Sequence, residues 1–371
     1  MKIAQIAPLI ESVPPRLYGG TERIVSYVTE ELVALGHDVT LFASGDSITA
    51  ANLVPCVPKA LRLDASVVDA IPYYMLMLDR VRQRADDFDI LHFHIDQFQF
   101  PLFRPIAQRT VTTLHGRQDL PDLIPLYLGF DDMPLVSISN DQRRPIPNAN
   151  FAATVYHGLP VGLHRPPAGP GGDYVAFLGR ISPEKRPDRA IAIARALSIP
   201  LKIAAKVDRA DEAYFRTTIE PLLDGPGVEF IGEINEHQKT QFLGNAQALL
   251  FPVDWPEPFG LSMIEAMACG TPVLAFRCGS VPEIVDDGVT GAIVDTMAQA
   301  IAALPRVIAL DRNKVRQRFE QRFSATRMAK DYVGVYRSLL ESSKSVGAAK
   351  RDTRHRSGNG RDAIILRPAI A

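Results

Sequence analysis

The stretch Ala248-Leu249-Leu250-Phe251, then Pro256-Glu257-Pro258-Phe259-Gly260, then Leu261-Ser262-Met263-Ile264-Glu265-Ala266-Met267-Ala268-Cys269-Gly270, decides the fold. Its first four residues have the length and composition of a strand buried on both faces. Leu261 to Cys269 has the apolar spacing of a helix, which Gly270 closes. One carboxylate, Glu257, therefore sits in a strand-to-helix loop and a second, Glu265, about two turns' reach away inside the helix. Gly260 leaves the backbone unshielded where the helix begins. Free N–H groups at a helix start attract anions, phosphate above all. Either acid alone reads equally as a solvated loop acid or as an acid favouring the helix dipole. Two carboxylates flanking a phosphate site suit a ligand with hydroxyls on both sides of a phosphate, the chemistry of a nucleotide sugar.

The rest of the chain sets bounds around that unit. Its 371 residues are too many for one ordinary core and suit two α/β domains. A formal net charge of −1 gives no reason to expect nucleic-acid binding. Cys56, Cys269 and Cys278 are too far apart for a zinc-ligand pattern, and their odd number argues against a disulfide framework. A reduced, cytoplasmic setting is expected. The start, Met1-Lys2-Ile3-Ala4-Gln5-Ile6-Ala7-Pro8, is broken by Glu11 and Pro14-Pro15 and reads as a buried strand, not a leader. No apolar run is long enough to span a bilayer; weak peripheral membrane contact stays open, and the oligomeric state is not legible.

Ile3–Ala7 and Val39–Ala43 read as strands around a helix marked by Ile24, Val28, Leu32 and Leu35 and ended by Gly36. The loop between, Pro8–Gly20, ends Tyr18-Gly19-Gly20-Thr21-Glu22 and lies at the carboxyl end of its strand, where open α/β sheets bind ligands. It lacks the Gly-x-Gly-x-x-Gly pattern of dinucleotide binders. Strands are expected at Asp89–His94, Thr110–Leu114, Leu135–Ser139 and Ala153–Tyr156, with His115 at a strand end facing the crevice. A Pro/Gly-rich connector, residues 158–172, separates this half, 1–157, from a second, 173–323. The second half restarts with strand Tyr174–Leu178 and continues with strands at 201–207, 228–231, 248–251 and 272–275, alternating with helices: another doubly wound parallel sheet. Ser182 is expected to cap a helix whose first residue is Pro183. Arg180 and Lys185 then crowd the positive helix end, which makes more sense if an anion sits between them. Residues 324–342 read as a last amphipathic helix, and 343–371 as a disordered tail.

These motifs resemble the retaining glycosyltransferases of family 4, which have the GT-B fold of two Rossmann-like domains facing across a cleft. The carriers are Tyr18–Glu22, His115, Phe177-Leu178-Gly179-Arg180-Ile181-Ser182-Pro183-Glu184-Lys185, the opening stretch, Cys269–Ala275, and Glu283-Ile284-Val285 before Gly288 and Gly291. Glu257 and Glu265 match the family's paired glutamates, with seven residues between them. Asp254-Trp255-Pro256-Glu257 also looks like a subgroup that includes UDP-glucose:tetrahydrobiopterin glucosyltransferases. The resemblance implies that Arg180 and Lys185 clamp a donor diphosphate. Gly19, Gly20, Phe259, Gly260, Leu261 and Ser262 would complete its cradle. Glu265 would hold the ribose, Glu257 would face the transferred sugar, and His115 would lie near the sugar's outer hydroxyl. It also implies that the last helix packs back on the first domain, and that first-domain loops, Gly45–Ala60 and Arg117–Gly129, meet the acceptor.

The activity so implied is transfer of a hexose, glucose foremost, from a UDP-sugar to a hydroxyl acceptor that the sequence does not identify. Neither a metal nor another cofactor is expected, because Arg180 and Lys185 can offset the leaving charge. Two rivals share the fold: a UDP-sugar epimerase, which would show no acceptor dependence, and a catalytically silent sugar-nucleotide-binding homologue.

Overall fold

The computed structural model describes residues 1–356 apart from Tyr18, Ala168 and Pro170, with side chains described as far as residue 342. Two sheets organise it, and every strand pairing within them is parallel. The first contains β1 (Lys2–Ile6), β2 (Asp38–Ser44), β3 (Asn52–Val57), β4 (Ile90–Phe93), β5 (Thr110–Thr113), β6 (Leu135–Ser137) and β7 (Phe151–Thr154), in the order β3-β2-β1-β4-β5-β6-β7. The second contains β8 (Val175–Arg180), β9 (Leu201–Lys206), β10 (Val228–Gly232), β11 (Leu249–Phe251), β12 (Val273–Phe276) and β13 (Gly291–Val294), in the order β10-β9-β8-β11-β12-β13. In each sheet the order reverses beside the strand that opens the domain, between β1 and β4 and between β8 and β11. Such a switch point leaves a crevice at the carboxyl ends of the strands, because the connections on either side depart in opposite directions.

Local sequence explains most of these elements. Ile24, Val28 and Leu32 are fully buried on the helix Gly20–Ala34, while Leu35 lies past its end and is exposed. The central strands β1, β4 and β11 are buried along nearly their whole length; β11 is wholly apolar, while β1 and β4 each bury one polar residue, Gln5 and His92. The helix Leu261–Ala268 starts at Gly260, whose φ of 81° is a left-handed conformation that glycine reaches without steric cost.

The structure differs from the sequence reading at five places. Strands β3 and β13 were not expected; both are edge strands, and β3 carries Pro55, which an edge tolerates because an outward position donates to no neighbour. Ser182 makes no capping hydrogen bond: Pro183–Lys185 form one 3-10 turn, Arg186 turns left-handed at φ 53°, and the helix begins at Pro187. Asn52–Val57 and Leu123–Gly129 are a strand and a helix, inside segments read as loops. The final helix runs from Ala325 to Arg356, past the point at 342 where an unstructured tail was expected. Its extension is rich in Ala, Lys and Arg, strong helix formers that a judgement on polarity alone overlooks. Residues 357–371 of that tail lie outside the described residues.

That last helix joins the halves. Met328, Tyr332 and Tyr336 are fully buried in a cluster that also holds Ile3 and Ile24 of the first domain and Leu249 and Met267 of the second. At its start the chain meets the connector: Leu159 N–H donates to Phe323 O (2.9 Å) and Ala325 N–H to Leu159 O (2.8 Å). Chain therefore crosses between the domains twice, at neighbouring points.

Candidate active site

Between the domains, at both switch points, lies a cavity of about 400 Å³, within the range that small-ligand sites occupy. Gly19, Gly20, His115, Arg180, Lys185, Glu257, Phe259, Gly260, Leu261, Ser262 and Glu265 all line it. The structure thus brings together every site residue expected from sequence. By contrast, none of the lining residues comes from 45–60 or 117–129, so those segments do not face this cavity.

The second-domain wall is built of charges already paired. Arg180, at the end of β8, contacts Glu184 (2.6 Å), Asp211 (3.2 Å) and Asp208 (3.8 Å). The Lys185 ammonium pairs directly with Oε2 of Glu257. Both cations are half-buried, whereas Glu257 and Glu265 are buried. The helix Leu261–Ala268 opens beside them without a side-chain cap; Met263 N–H turns back to the Gly260 carbonyl (3.0 Å), and the N–H groups before it precede any i−4 partner. Cations and helix dipole thus favour an anion at the same place.

Glu265 belongs to a network that the sequence did not disclose. Its Oε1 accepts from Lys239 Nζ (2.8 Å), which also reaches Glu236 (3.4 Å). Glu236 in turn meets His164 (3.0 Å) and pairs with Arg23 of the first domain. Arg23 donates to the carbonyl of Leu17 (2.6 Å), two residues before the glycine pair. The contacts with His164, Lys239 and Arg23 hold the Glu236 carboxyl down at about 2, although burial alone would raise it. His164, Glu236 and Glu265 form the one trio of metal-ligating side chains found among the described residues, with ligand atoms within 4.8 Å. Arg23 and Lys239 already bring two positive charges to it. Glu236 and Lys239 are only a helix turn apart and look like an ordinary surface pair, while Arg23, His164 and Glu265 stand far from them in sequence, which is why reading the sequence missed the network.

On the first-domain side Glu11, Glu22, Arg23 and Arg62 also line the cavity, but the part around His115 is uncharged and held by hydrogen bonds. His94 Nε2 lies 2.8 Å from the Gln5 side-chain oxygen, which can only accept, so that nitrogen carries the proton. His94 Nδ1 then accepts, and the proton in its 2.9 Å contact with His115 belongs to His115 Nε2. His115 is left with a lone pair on Nδ1 for a ligand hydroxyl. Behind it, His92 contacts Tyr336 (2.8 Å) and Thr113 (2.7 Å). Burial pushes the His115 imidazole down to about 3 and those of His92, His94 and His157 well below the usual range. All four are neutral at ordinary pH. His157, another residue not singled out from sequence, lies between the walls. It stacks on His115 (5.3 Å) and packs edge-on to Phe259 (4.8 Å).

Comparison with known proteins agrees with this architecture. Residues 18–198 match Glycosyltransferase Family 4, and residues 165–324 match Glycosyl transferases group 1. The two matches overlap at residues 165–198 and together span 18–324. Its fold is GT-B. The structure of AviGT4, a glycosyltransferase involved in avilamycin A biosynthesis, superposes with a TM-score of 0.70 at 23% identity, covering 92% of this chain and 98% of that one. Anabaena HepE in complex with UDP and glucose gives 0.67 at 18% identity, covering 93% and 100%. A D-inositol 3-phosphate glycosyltransferase of Mycolicibacterium smegmatis is 34% identical over 213 residues, 53% of this chain and 45% of that protein. The Mycobacterium bovis protein of the same name is 34% identical over 161 residues, 41% of this chain and 33% of that one. The matches thus span less than half the length of these curated relatives. No helix among the described residues is long and apolar enough to cross a membrane.

Proposed function

We propose that this protein is a retaining glycosyltransferase that moves a hexose, with glucose the first to test, from a UDP-sugar to a hydroxyl acceptor. The observation that carries the reading is one cavity, at two switch points, in which Arg180, Lys185 and a helix start surround an anion's place. Glu257 and Glu265 flank that place, and a neutral histidine stands on the opposite wall. In this reading Arg180, Lys185, Gly19, Gly20 and the amides around Gly260–Ser262 hold the diphosphate. Glu265 takes the ribose hydroxyls, Glu257 faces the sugar, and His115 Nδ1 accepts from a sugar hydroxyl.

In the transfer, the bond from the anomeric carbon to the diphosphate oxygen breaks and the carbon becomes cation-like. The acceptor oxygen bonds to that carbon on the face the diphosphate leaves. The acceptor's proton passes to an oxygen of the departing UDP, so no side chain is assigned as base. Arg180 and Lys185 act where negative charge grows, and fixed charges of this kind stabilise a transition state most because they need no reorganisation. A diphosphate must compete with Glu257 for the Lys185 ammonium, so donor binding breaks one ion pair and makes a stronger set. The reaction so written uses no metal ion. The protein acts in the cytoplasm, where nucleotide sugars are found.

Thermal-shift screening against UDP-glucose, UDP-galactose, UDP-N-acetylglucosamine and GDP-mannose tests the donor. UDP-glucose is expected to raise the melting temperature most, and no shift with any nucleotide sugar would refute the proposal. Donor turnover should survive EDTA; a loss that added Mg²⁺ restores would refute the metal-free step.

A further inference from the structure

Glu257 must keep a fixed orientation while the cation beside it is drawn toward phosphate, and the structure contains a device that can do this. Its backbone is clamped first. Ser280 N–H donates to the Glu257 carbonyl (2.9 Å), and Ser280 Oγ to the Phe259 carbonyl (2.9 Å). Gly279, at φ 57°, passes so close that a Cβ there would lie 2.3 Å from Glu257 N. No other residue type fits without displacing the loop.

The carboxylate itself has two donors, both on Oε2. One is the Lys185 ammonium; the other is the indole N–H of Trp255, at 2.9 Å. The Trp255 ring also carries two cations: Lys185 Nζ lies 5.2 Å from its centroid, and the Arg117 guanidinium, from the loop after β5 in the first domain, 5.7 Å. Arg117 is itself held by two bonds to Asp119 (2.6 and 2.8 Å). Of the two donors on Oε2, only Lys185 is a cation that a diphosphate would attract. The indole N–H is neutral and stays.

We propose that Trp255 is a positioning residue that fixes Glu257 for the transferred sugar, occupying Oε2 so that Oε1 is the oxygen offered to a sugar hydroxyl. This rests on the donor reading given above and adds a residue to it. Trp255 acts through Glu257 and touches neither the nucleotide nor the reacting carbon. Removing its N–H should therefore leave nucleotide binding alone and weaken recognition of the sugar. Trp255→Phe keeps an aromatic face for Lys185 and Arg117 and deletes only the donor.

The test is calorimetric titration of UDP and of UDP-glucose into the wild type, Trp255→Phe, Glu257→Ala and the double variant. Trp255→Phe should bind UDP within about twofold of the wild type, which also certifies its fold, and UDP-glucose about fivefold more weakly, as one lost hydrogen bond predicts. If the indole works through Glu257, the double variant should bind UDP-glucose no more weakly than Glu257→Ala alone. Equal weakening of both ligands by Trp255→Phe, unchanged UDP-glucose affinity, or additive losses in the double variant would each overturn the proposal. A wild type that binds neither ligand would defeat the donor reading itself, and this inference with it. A wild type that binds both, matched by Trp255→Phe, would overturn only the role of Trp255.

Discussion

Two parts of the cleft, the second-domain wall and the histidine row of the first domain, solve the problem of a buried polar site in opposite ways. The second-domain wall keeps its groups charged and pairs them: Lys185 with Glu257, Lys239 with Glu265, Arg180 with Glu184. Around His115 the first domain instead keeps its groups neutral and threads them into a hydrogen-bonded row, His115–His94–Gln5, with His92 and Tyr336 behind, although Arg23 and Arg62 line the cavity elsewhere. Paired charges can be exchanged for a charged ligand at little cost, because one ionic partner replaces another. A neutral row whose proton positions are already set cannot exchange in that way; it can only present the one lone pair it has. Under the proposed function, the charged wall takes the diphosphate, the ribose and one side of the sugar, and the histidine row offers a single acceptor to a sugar hydroxyl.

The largest effect should come from the charged wall. Arg180→Ala and Lys185→Ala are each expected to lower donor turnover by about 10²–10³, the cost of losing one fixed group that meets developing charge. Steady-state rates of UDP release from UDP-glucose would measure this. Arg180→Lys should recover only part of the rate, because a point charge lacks the planar fork of guanidinium. Full activity in both alanine variants would remove the cationic clamp.

A smaller effect should follow from Glu265→Ala. Loss of a charged group bonded to ribose hydroxyls should weaken UDP binding by about 1.5–3 kcal/mol. It also leaves Lys239 without its buried partner, so a destabilised fold must be separated from weakened binding by comparing melting temperatures without ligand.

The neutral wall makes its own prediction, in stability against pH. His92, His94, His115 and His157 resist protonation in the fold, whereas unfolded histidines protonate near pH 6.5. Below that pH the unfolded state alone takes up protons. The stability these residues contribute is therefore present above about pH 6.5 and lost as pH falls below it, down toward about 3 for His115. Each such histidine adds a slope of about 1.4 kcal/mol per pH unit below its unfolded pKa. Denaturant melts between pH 7.5 and 5 should show the decline, and His92→Gln should flatten it by about one proton's worth. A pH-independent stability across this range would contradict the neutral assignment.

Much of this molecule was legible in its sequence, and the exceptions share a cause. Central strands announce themselves because burial on both faces forces unbroken apolar runs such as Ala248–Phe251. Edge strands β3 and β13 escape because an edge tolerates Pro55, Asn52 and Gly291. The expected site residues fall together because each belongs to a local motif at the end of a strand. Arg23, Glu236, Lys239 and His157 belong to none: Glu236 and Lys239 are an ordinary helix pair, and only the fold brings Arg23 and Glu265 to them and His157 to His115. Trp255 stood inside a motif, but nothing in the sequence said that its N–H turns toward Glu257.

The division of labour between the walls is tested most directly by titrating UDP and UDP-glucose into Glu265→Ala and His115→Ala. Glu265→Ala should weaken both ligands by the same factor, because both carry the ribose. His115→Ala should leave UDP within about twofold of the wild type and weaken UDP-glucose by about 1 kcal/mol, one neutral hydrogen bond. If His115→Ala weakens UDP as much as UDP-glucose, or Glu265→Ala weakens neither, the walls do not divide the donor as proposed.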